Sequence, residues 1–556
     1  MRDDPGNDVT TIELATPVQT FSAIDDGNFL DGPENDVVKV LDFDKDTGQR
    51  LTPMKFIPKG IGKSVSCYEI GYSDLGPDSE PEDFETHDFM QISTFATVLK
   101  MLDFFESADM LGRKIPWAFD AKKLSIIPQA GEAKNAFYDR RNHSLQFYYH
   151  EAKKGHTIYT ALSHDIVVHE STHAILDGVA PDLFNSILPE SLALHEAIAD
   201  ISAIIQTLLN EMVLFSYEAL TGGTDKDEYS VLTNIAEEFG ADIRIGEGRN
   251  YLRRMKNDFR IKNTPNEDID TQLIVNQENP HHLSQVLSGV LYFVIEARMR
   301  NTERRSYDIY SGLDKVFIPA ARRVARIIFR ALDYLPPGEA SFIDYGRAFV
   351  VAAKTTYKRP QKEVRWLKEE FVRRGIVQHE DELESDFELV KLKLTNTQAT
   401  KLAENDEILA DFVKKHRDIF QIPNGEDYSI LPKVVTHKEI GKRKQNELFI
   451  KVSWEEIEQH DIGPEFKKRW AIKKGTTLAV DLEKRTINRL TTTSTPFLTK
   501  QREKMLLMLS KKKSLLINPS DANNIEQPAK HIVVNNRKGV MRIEGGMRLL
   551  HIVASN

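Results

Sequence analysis

The chain has 556 residues, 40% of them hydrophobic and 28% charged, with a formal net charge of -10 at pH 7. That length exceeds one average core, so two or three domains are expected, and the acidic balance argues against a general nucleic-acid binder. A single cysteine, Cys67, excludes an intrachain disulfide and leaves no partner for a thiolate metal site.

No apolar segment follows Met1-Arg2-Asp3-Asp4-Pro5, and no run of 18 apolar residues occurs. The expected location is the cytoplasm, with no membrane partner; export by a route without a cleavable signal stays open. Residues 1–83 are rich in Asp, Gly, Pro and Thr and contain short runs such as Val37 to Leu41, which predicts a β-rich lead-in. From Phe84 to Glu106 the pattern changes. Phe89, Ile92, Phe95, Val98, Leu99, Leu102 and Phe105 recur at helical spacing and predict a long amphipathic helix. Asn135 to Tyr149 then reads as two aromatic-rich strands around a polar turn. Taken alone this is an ordinary hairpin, although an edge strand beside an active site can pair with an extended substrate.

The segment Ser163 to Asp200 carries the chemistry. It contains His169-Glu170-Ser171-Thr172-His173 and then His195-Glu196-Ala197-Ile198-Ala199-Asp200. Residues four apart share a helix face, so His169 and His173 can offer two imidazole nitrogens to one ion while Glu170 points about 100° round the axis, placed as a base. A catalytic zinc takes three protein ligands and keeps one position for water. Glu196, on a second helical segment beyond a turn containing Gly178, Pro181 and Pro189, is placed to supply the third. Asp200, one turn further, can accept the remaining N–H of a ligating histidine. HExxH also arises by chance on amphipathic helices. Here, however, Ile166, Val167, Val168, Ala174 and Ile175 make the helix apolar enough to be buried, and buried histidines and carboxylates are costly unless paired or metal-bound.

Ile201 to Leu220 continues as an apolar helix, broken by Thr221 to Asp227. Leu252-Arg253-Arg254-Met255 follows, and Asn279-Pro280-His281-His282 opens another helix. Leu313 to Ile376 is strongly helical, with Arg322, Arg323, Arg326 and Arg330 on a face read as solvated or salt-bridged, and with a Pro336-Pro337-Gly338 break. An acidic stretch, Glu380 to Asp386, marks a boundary. Beyond it a helical part from about Thr395 to Phe420 precedes strands, with Leu448, Ile450, Val452 and Trp454 on one face, then Leu478 to Leu482 and His531 to Val534. The cluster Lys511 to Lys513 reads as solubilising. No chemistry is assigned to residues 379–556, which are a candidate dock for a protein partner.

Together these motifs resemble the thermolysin-type gluzincin zinc metallopeptidases over residues 85 to 378, through HExxH followed by ExxxD. Asn135-Ala136-Phe137-Tyr138 is similar to that family's substrate-holding edge strand, Leu252-Arg253-Arg254-Met255 to its arginine motif, and His281, with Ser284 and Gly289, to its catalytic histidine. The resemblance implies an α+β architecture: a metallopeptidase domain at 84–378, with a β-rich N-terminal lobe carrying the active-site helix and a mainly helical C-terminal lobe, between the lead-in and a mixed α/β-strand extension at 379–556. It implies Zn2+ held by His169, His173 and Glu196, Glu170 as general base, Asp200 orienting His169, and His281 and Arg253 stabilising the oxyanion, with His282 the rival of His281. Substrate would lie against Asn135 and Ala136, with Ile166 and Leu252 lining an apolar pocket. The expected function is hydrolysis of peptide bonds within peptide or protein substrates.

Two departures stand out. Phe184 falls where the family has an oxyanion-holding tyrosine, a loss worth about 10²–10³ in rate unless Tyr138, Tyr148 or Tyr149 substitutes. Asp165 matches one calcium-ligand position, but the remaining acidic cluster is missing, so calcium is not expected. The alternatives are a zinc-scaffold adaptor working through 379–556, and an aminopeptidase, for which a Gly-x-Met-Glu-Asn-like run is absent.

Overall fold

A computed structural model describes residues 33–53, 87–153, 155–221, 232–236, 240, 242, 251–262, 270–303, 312–384, 388–390, 392, 394–460, 468–492, 496–511, 515–517, 532–537 and 539–544. Cys67, residues 222–227 of the Gly/Asp-rich break, Lys512, Lys513 and His531 lie outside them.

In chain order the elements are β1 (Val38–Val40), α1 (His87–Glu106), β2 (Leu124–Ile127), β3 (Ala136–Asp139), β4 (Ser144–Phe147), β5 (Tyr149–Glu151), β6 (Thr157–Tyr159), α2 (His164–Val179), α3 (Pro181–Asn185), α4 (Pro189–Leu208), α5 (Glu211–Thr221), β7 (Asn234–Ile235) and β8 (Arg253–Arg254). There follow α6 (Pro280–Glu303), α7 (Leu313–Tyr334), α8 (Phe342–Thr356), α9 (Gln361–Arg373), β9 (Glu388–Val390), α10 (Asn396–Glu404), α11 (Asp406–Lys415), β10 (Tyr428–Ile430), β11 (Val434–Ile440), β12 (Arg443–His460), β13 (Lys468–Asp481), β14 (Ile487–Thr491), α12 (Pro496–Lys511), β15 (Leu515–Ile517), β16 (Ile532–Arg537) and β17 (Val540–Glu544). The fold class is mixed α+β. Two compact units divide it, one from Met1–Met101, Phe119–Ser171 and Gln206–Arg254, the other from Leu102–Ala118, Thr172–Ile205 and Met255–Asn556.

In the first unit a four-stranded sheet runs β1-β2-β4-β3, with β3 antiparallel to β4 and the other pairs parallel. Leu124, Ile126, Leu145 and Phe147 are fully buried and form its packed face. β3 and β4 are the hairpin read from the sequence. Its turn is fixed by Asp139, whose carboxylate accepts from the Arg141 backbone N–H, and by His143 at φ 53°. Asp242 staples the unit: its carboxylate accepts from Lys134 Nζ at 2.5 Å, His150 Nε2 at 3.1 Å and the Lys153 backbone N–H at 3.0 Å. The Lys134 ammonium and the backbone donor outweigh burial and hold that carboxyl well below the usual range.

The helix α1 departs from a one-sided amphipathic pattern. Besides Phe95, Val98 and Phe105, its polar Gln91, Thr94 and Thr97 are buried, and Thr94 turns its hydroxyl back onto Met90 O.

The second unit packs α6 to α9 with a sheet built largely from β10 to β17, to which β9 is joined through β14. The alternation read from the sequence is real: Leu448, Ile450, Val452 and Trp454 of β12 pack with Leu478 and Val480 of β13 and with Leu402, Leu409 and Val413 of α10 and α11. A capping box at Thr395 and Gln398 starts α10. The opposite face of the sheet is buried too. Lys438, at 0% exposure, lies 3.3 Å from Asp333 and 3.1 Å from Glu447, and Lys451 Nζ and the Thr477 hydroxyl both donate to Leu335 O. Gly112, at φ +64°, lets β11 close in, with the His437 N–H donating to its carbonyl at 2.8 Å; a Cβ there would lie 2.4 Å from His437 O.

The arginine face of α7 is salt-bridged, as one half of the sequence reading had it, and Arg330 departs from both halves. Arg323 pairs with Glu363, Arg326 with Asp109, and Arg330 is buried, donating to the carbonyls of Met110, Asp109 and Glu439.

Candidate metal centre

The core of α2 is apolar: Val167, Val168, Ala174, Ile175 and Leu176 are buried. Gly178 belongs to its last turn and not to the loop. It permits close packing, since a Cβ there would stand 2.1 Å from Pro116 O. Ala180, ahead of Pro181, leaves helical geometry and ends α2, and Pro189 begins α4 with its missing N–H where none is required. In α4 nearly every residue from Leu192 to Ile201 is fully buried, including His195, Glu196 and Asp200. Such a helix is internal, and its polar groups must be matched by chemistry.

On α2, His169, Glu170 and His173 are buried and offer ligand atoms all within 4.8 Å of one another. His169 and Glu170 belong to the first unit and His173 to the second, α2 being continuous through Ser171 and Thr172. Within the second unit His173 Nε2 stands 3.2 Å from Glu196 Oε1, and Glu196 Oε2 stands 3.7 Å from His281 Nε2. Two imidazole nitrogens and a carboxylate oxygen on successive turns of α2 are donors of the kind that hold a divalent metal ion, so His169, Glu170 and His173 form a candidate metal group. His281 is about one-third exposed, near the start of α6; His282 instead accepts from the Asn276 backbone N–H through Nδ1.

Within the first unit, Glu170 Oε2 accepts from the backbone N–H of Tyr138 at 3.0 Å. β3 is the outer strand of its sheet among the described residues, and the Asn135 carbonyl accepts from Tyr148 N, on the inner side. By strand periodicity Ala136 directs its backbone groups to the same outer side as the Tyr138 N–H. Ile166 is buried on α2, Leu252 is half-buried and donates to Ile235 O, and Arg253 pairs with Ile235 in the β7–β8 ladder. These residues belong to the first unit. Asp200, in the second, is fully buried one turn after Glu196.

Two contacts escape a sequence reading. Nδ1 of His173 lies 2.6 Å from Nδ1 of His195, with the rings stacked at 4.7 Å, and Phe184 is buried edge-on against His195 at 6.3 Å. The signal for His195 was a histidine inside an otherwise apolar helical run. Tyr148 and Tyr149, read as stand-ins for the tyrosine missing at Phe184, donate their hydroxyls to Gln146 Oε1 and Lys45 O.

No family model matches this sequence, and no curated protein matches it. Among solved structures the chain is similar to one titled "Precursor of Protealysin, Metalloproteinase from Serratia proteamaculans", at 14% sequence identity and a TM-score of 0.33, covering 62% of this chain and 90% of that one.

Proposed function

We propose that this protein is a zinc-dependent endopeptidase, with His169, His173 and Glu196 as ligands and Glu170 as general base. The observation that carries the reading is the bond from the Tyr138 N–H to Glu170, which fixes a carboxylate two residues along from the outward-facing backbone of Ala136, on the helix that bears both histidines. A peptide added to β3 would hydrogen-bond with Ala136, oriented by Asn135, and bring its carbonyl alongside that carboxylate. Zinc, when bound, supplies Lewis acidity to the water and the carbonyl. Glu170 takes the proton of the attacking water and passes it to the leaving amine. His281 and Arg253 donate to the oxygen on which charge builds, and this interaction strengthens towards the transition state. Ile166 and Leu252 favour an apolar side chain after the cut.

The test is cleavage of internally quenched peptides blocked at both ends by the full-length protein and by Glu170→Gln, with zinc measured on both. Equal zinc, with turnover lowered by about 10²–10⁴ in the variant, is expected. Equal turnover by the two proteins overturns the mechanism. Cleavage only of peptides with a free amine would point to an aminopeptidase.

A further inference from the structure

We infer that His195 is a positioning residue that locks His173 in the tautomer able to ligate metal; this rests on the zinc reading above. His173 turns Nε2 towards Glu196, at 3.2 Å, so Nδ1 is its rear nitrogen. A neutral imidazole carries one proton, and Nε2 keeps a free lone pair only if that proton sits on Nδ1. The group facing this N–H is Nδ1 of His195, at 2.6 Å. His195 must then accept through Nδ1 and hold its own proton on Nε2. The reverse assignment, with His195 donating, would place the His173 proton on Nε2 and block the metal. One proton position in the pair thus decides whether the site is competent.

The geometry around His195 suits this role. The residue has 0% exposure, so water does not replace it as acceptor. Its ring is held on two sides, stacked at 26° on His173 and met edge-on at 67° by Phe184. Phe184, at the position where the sequence resemblance implies a tyrosine, thereby acts as packing for the ring that orients a ligand. Since His195 directly precedes the ligand Glu196, a single turn of α4 supplies both a ligand and the acceptor behind another.

The experiment is zinc affinity, by competition with a chromogenic chelator, on full-length wild type, His195→Leu, His195→Asn and His169→Ala. The Asn carboxamide oxygen occupies the place of the His Nδ1 and can accept but not ligate from there. Loss of about 10- to 100-fold in His195→Leu, with affinity in His195→Asn within about threefold of wild type, is the expected result. Cobalt substitution gives a second readout: the visible absorption of the loaded His195→Asn should match that of wild type. Equal affinity in wild type and His195→Leu overturns the inference. Should His195→Leu not fold, neutron diffraction on zinc-loaded wild-type crystals decides, because deuterium on Nε2 of His173 would refute the assignment. Wild type binding no better than His169→Ala would instead sink the metal-centre reading itself.

Discussion

Replacing Lys438 with Met tests how the C-terminal sheet is held to α7. The ammonium is buried 3.3 Å from Asp333 and 3.1 Å from Glu447, above the Phe449 ring at 4.9 Å. Arg113 binds the other oxygen of Asp333 at 2.8 Å, and Tyr334 donates its hydroxyl to Glu447. Burial pushes the Asp333 carboxyl up, but Arg113 and Lys438 together overcome it and hold it below the ordinary range. At an effective dielectric constant of about 20, each Lys438 contact contributes about 5 kcal/mol of attraction before desolvation is subtracted. Methionine matches the stem and removes the charge, leaving Glu447 without its ion-pair partner. The net loss should be about 3–5 kcal/mol. In Lys438→Met with Glu447→Gln, the amide still accepts from Tyr334 and most of that loss should return, a coupling of about 2–3 kcal/mol. Urea unfolding followed by tryptophan emission reads the effect, because Trp454 and Trp470 are buried in β12 and β13. Strictly additive substitutions, or a single variant as stable as wild type, would refute the account.

Three further expectations come from other polar groups, Glu190 and Asp242. Glu190, at the head of α4, accepts from the Phe342 N–H at 3.0 Å, and burial pushes its carboxyl up to about 7. Its native state therefore binds a proton that the unfolded chain releases above about 4.5, so stability should fall as pH rises from about 4.5 to 7; Glu190→Gln should flatten that part of a thermal-midpoint profile, and an unchanged slope would count against it. Asp242 is shifted the other way, so its stabilisation should persist at neutral pH and fade as pH falls below the usual aspartate range. Because Asp242 anchors Lys134, beside Asn135, Asp242→Asn should raise KM more than it lowers kcat; the opposite split would detach that anchor from substrate binding.

What the sequence made legible is what chain-local periodicity determines. Four-residue spacing placed His169 and His173 together because a helix imposes it, and two-residue alternation sorted Leu448, Ile450, Val452 and Trp454 onto one face. Contacts set by packing between elements were not legible. Which group stands behind His173 depends on how α2 meets α4 near Thr172 to Glu196, and the spacing of His195 from His173 carries no such information. Gly178 resembled a turn residue because glycine usually breaks helices, whereas here the cause is the approach of Pro116. Arg330 read as part of a solvated or salt-bridged face, and Lys438 drew no reading, for a related reason. Composition shows a cation but not the carbonyls of Asp109 and Met110, or the carboxylates of Asp333 and Glu447, that make its burial tolerable.

The sequence assigned no chemistry to residues 379–556, yet Arg502 reaches, through Glu339, the loop ahead of α4, the helix proposed to supply Glu196. Arg502 on α12, almost fully buried, donates to Glu339 through Nε and Nη2, at 3.0 and 2.5 Å, and also pairs with Glu458. Burial pushes Glu458 up, and His460 with Arg502 brings it down to about 2. Glu339 in turn accepts from the Ser186 hydroxyl at 3.0 Å, and Ser191 of α4 donates to Ala340 O. Glu196 lies six residues beyond Glu190, about 9 Å along the helix. Arg502→Met would take the guanidinium from between Glu339 and Glu458 and leave His460 as the ion-pair partner of Glu458, a cost of about 3–5 kcal/mol. If that chain of bonds sets the pose of α4, zinc affinity should also weaken, by about 10-fold, as for loss of other groups that orient a ligand. An independent C-terminal adaptor predicts no change in affinity. Wild-type affinity in a destabilised Arg502→Met protein would mean that apolar packing alone holds Glu196, and that the extension supports the fold without tuning the metal.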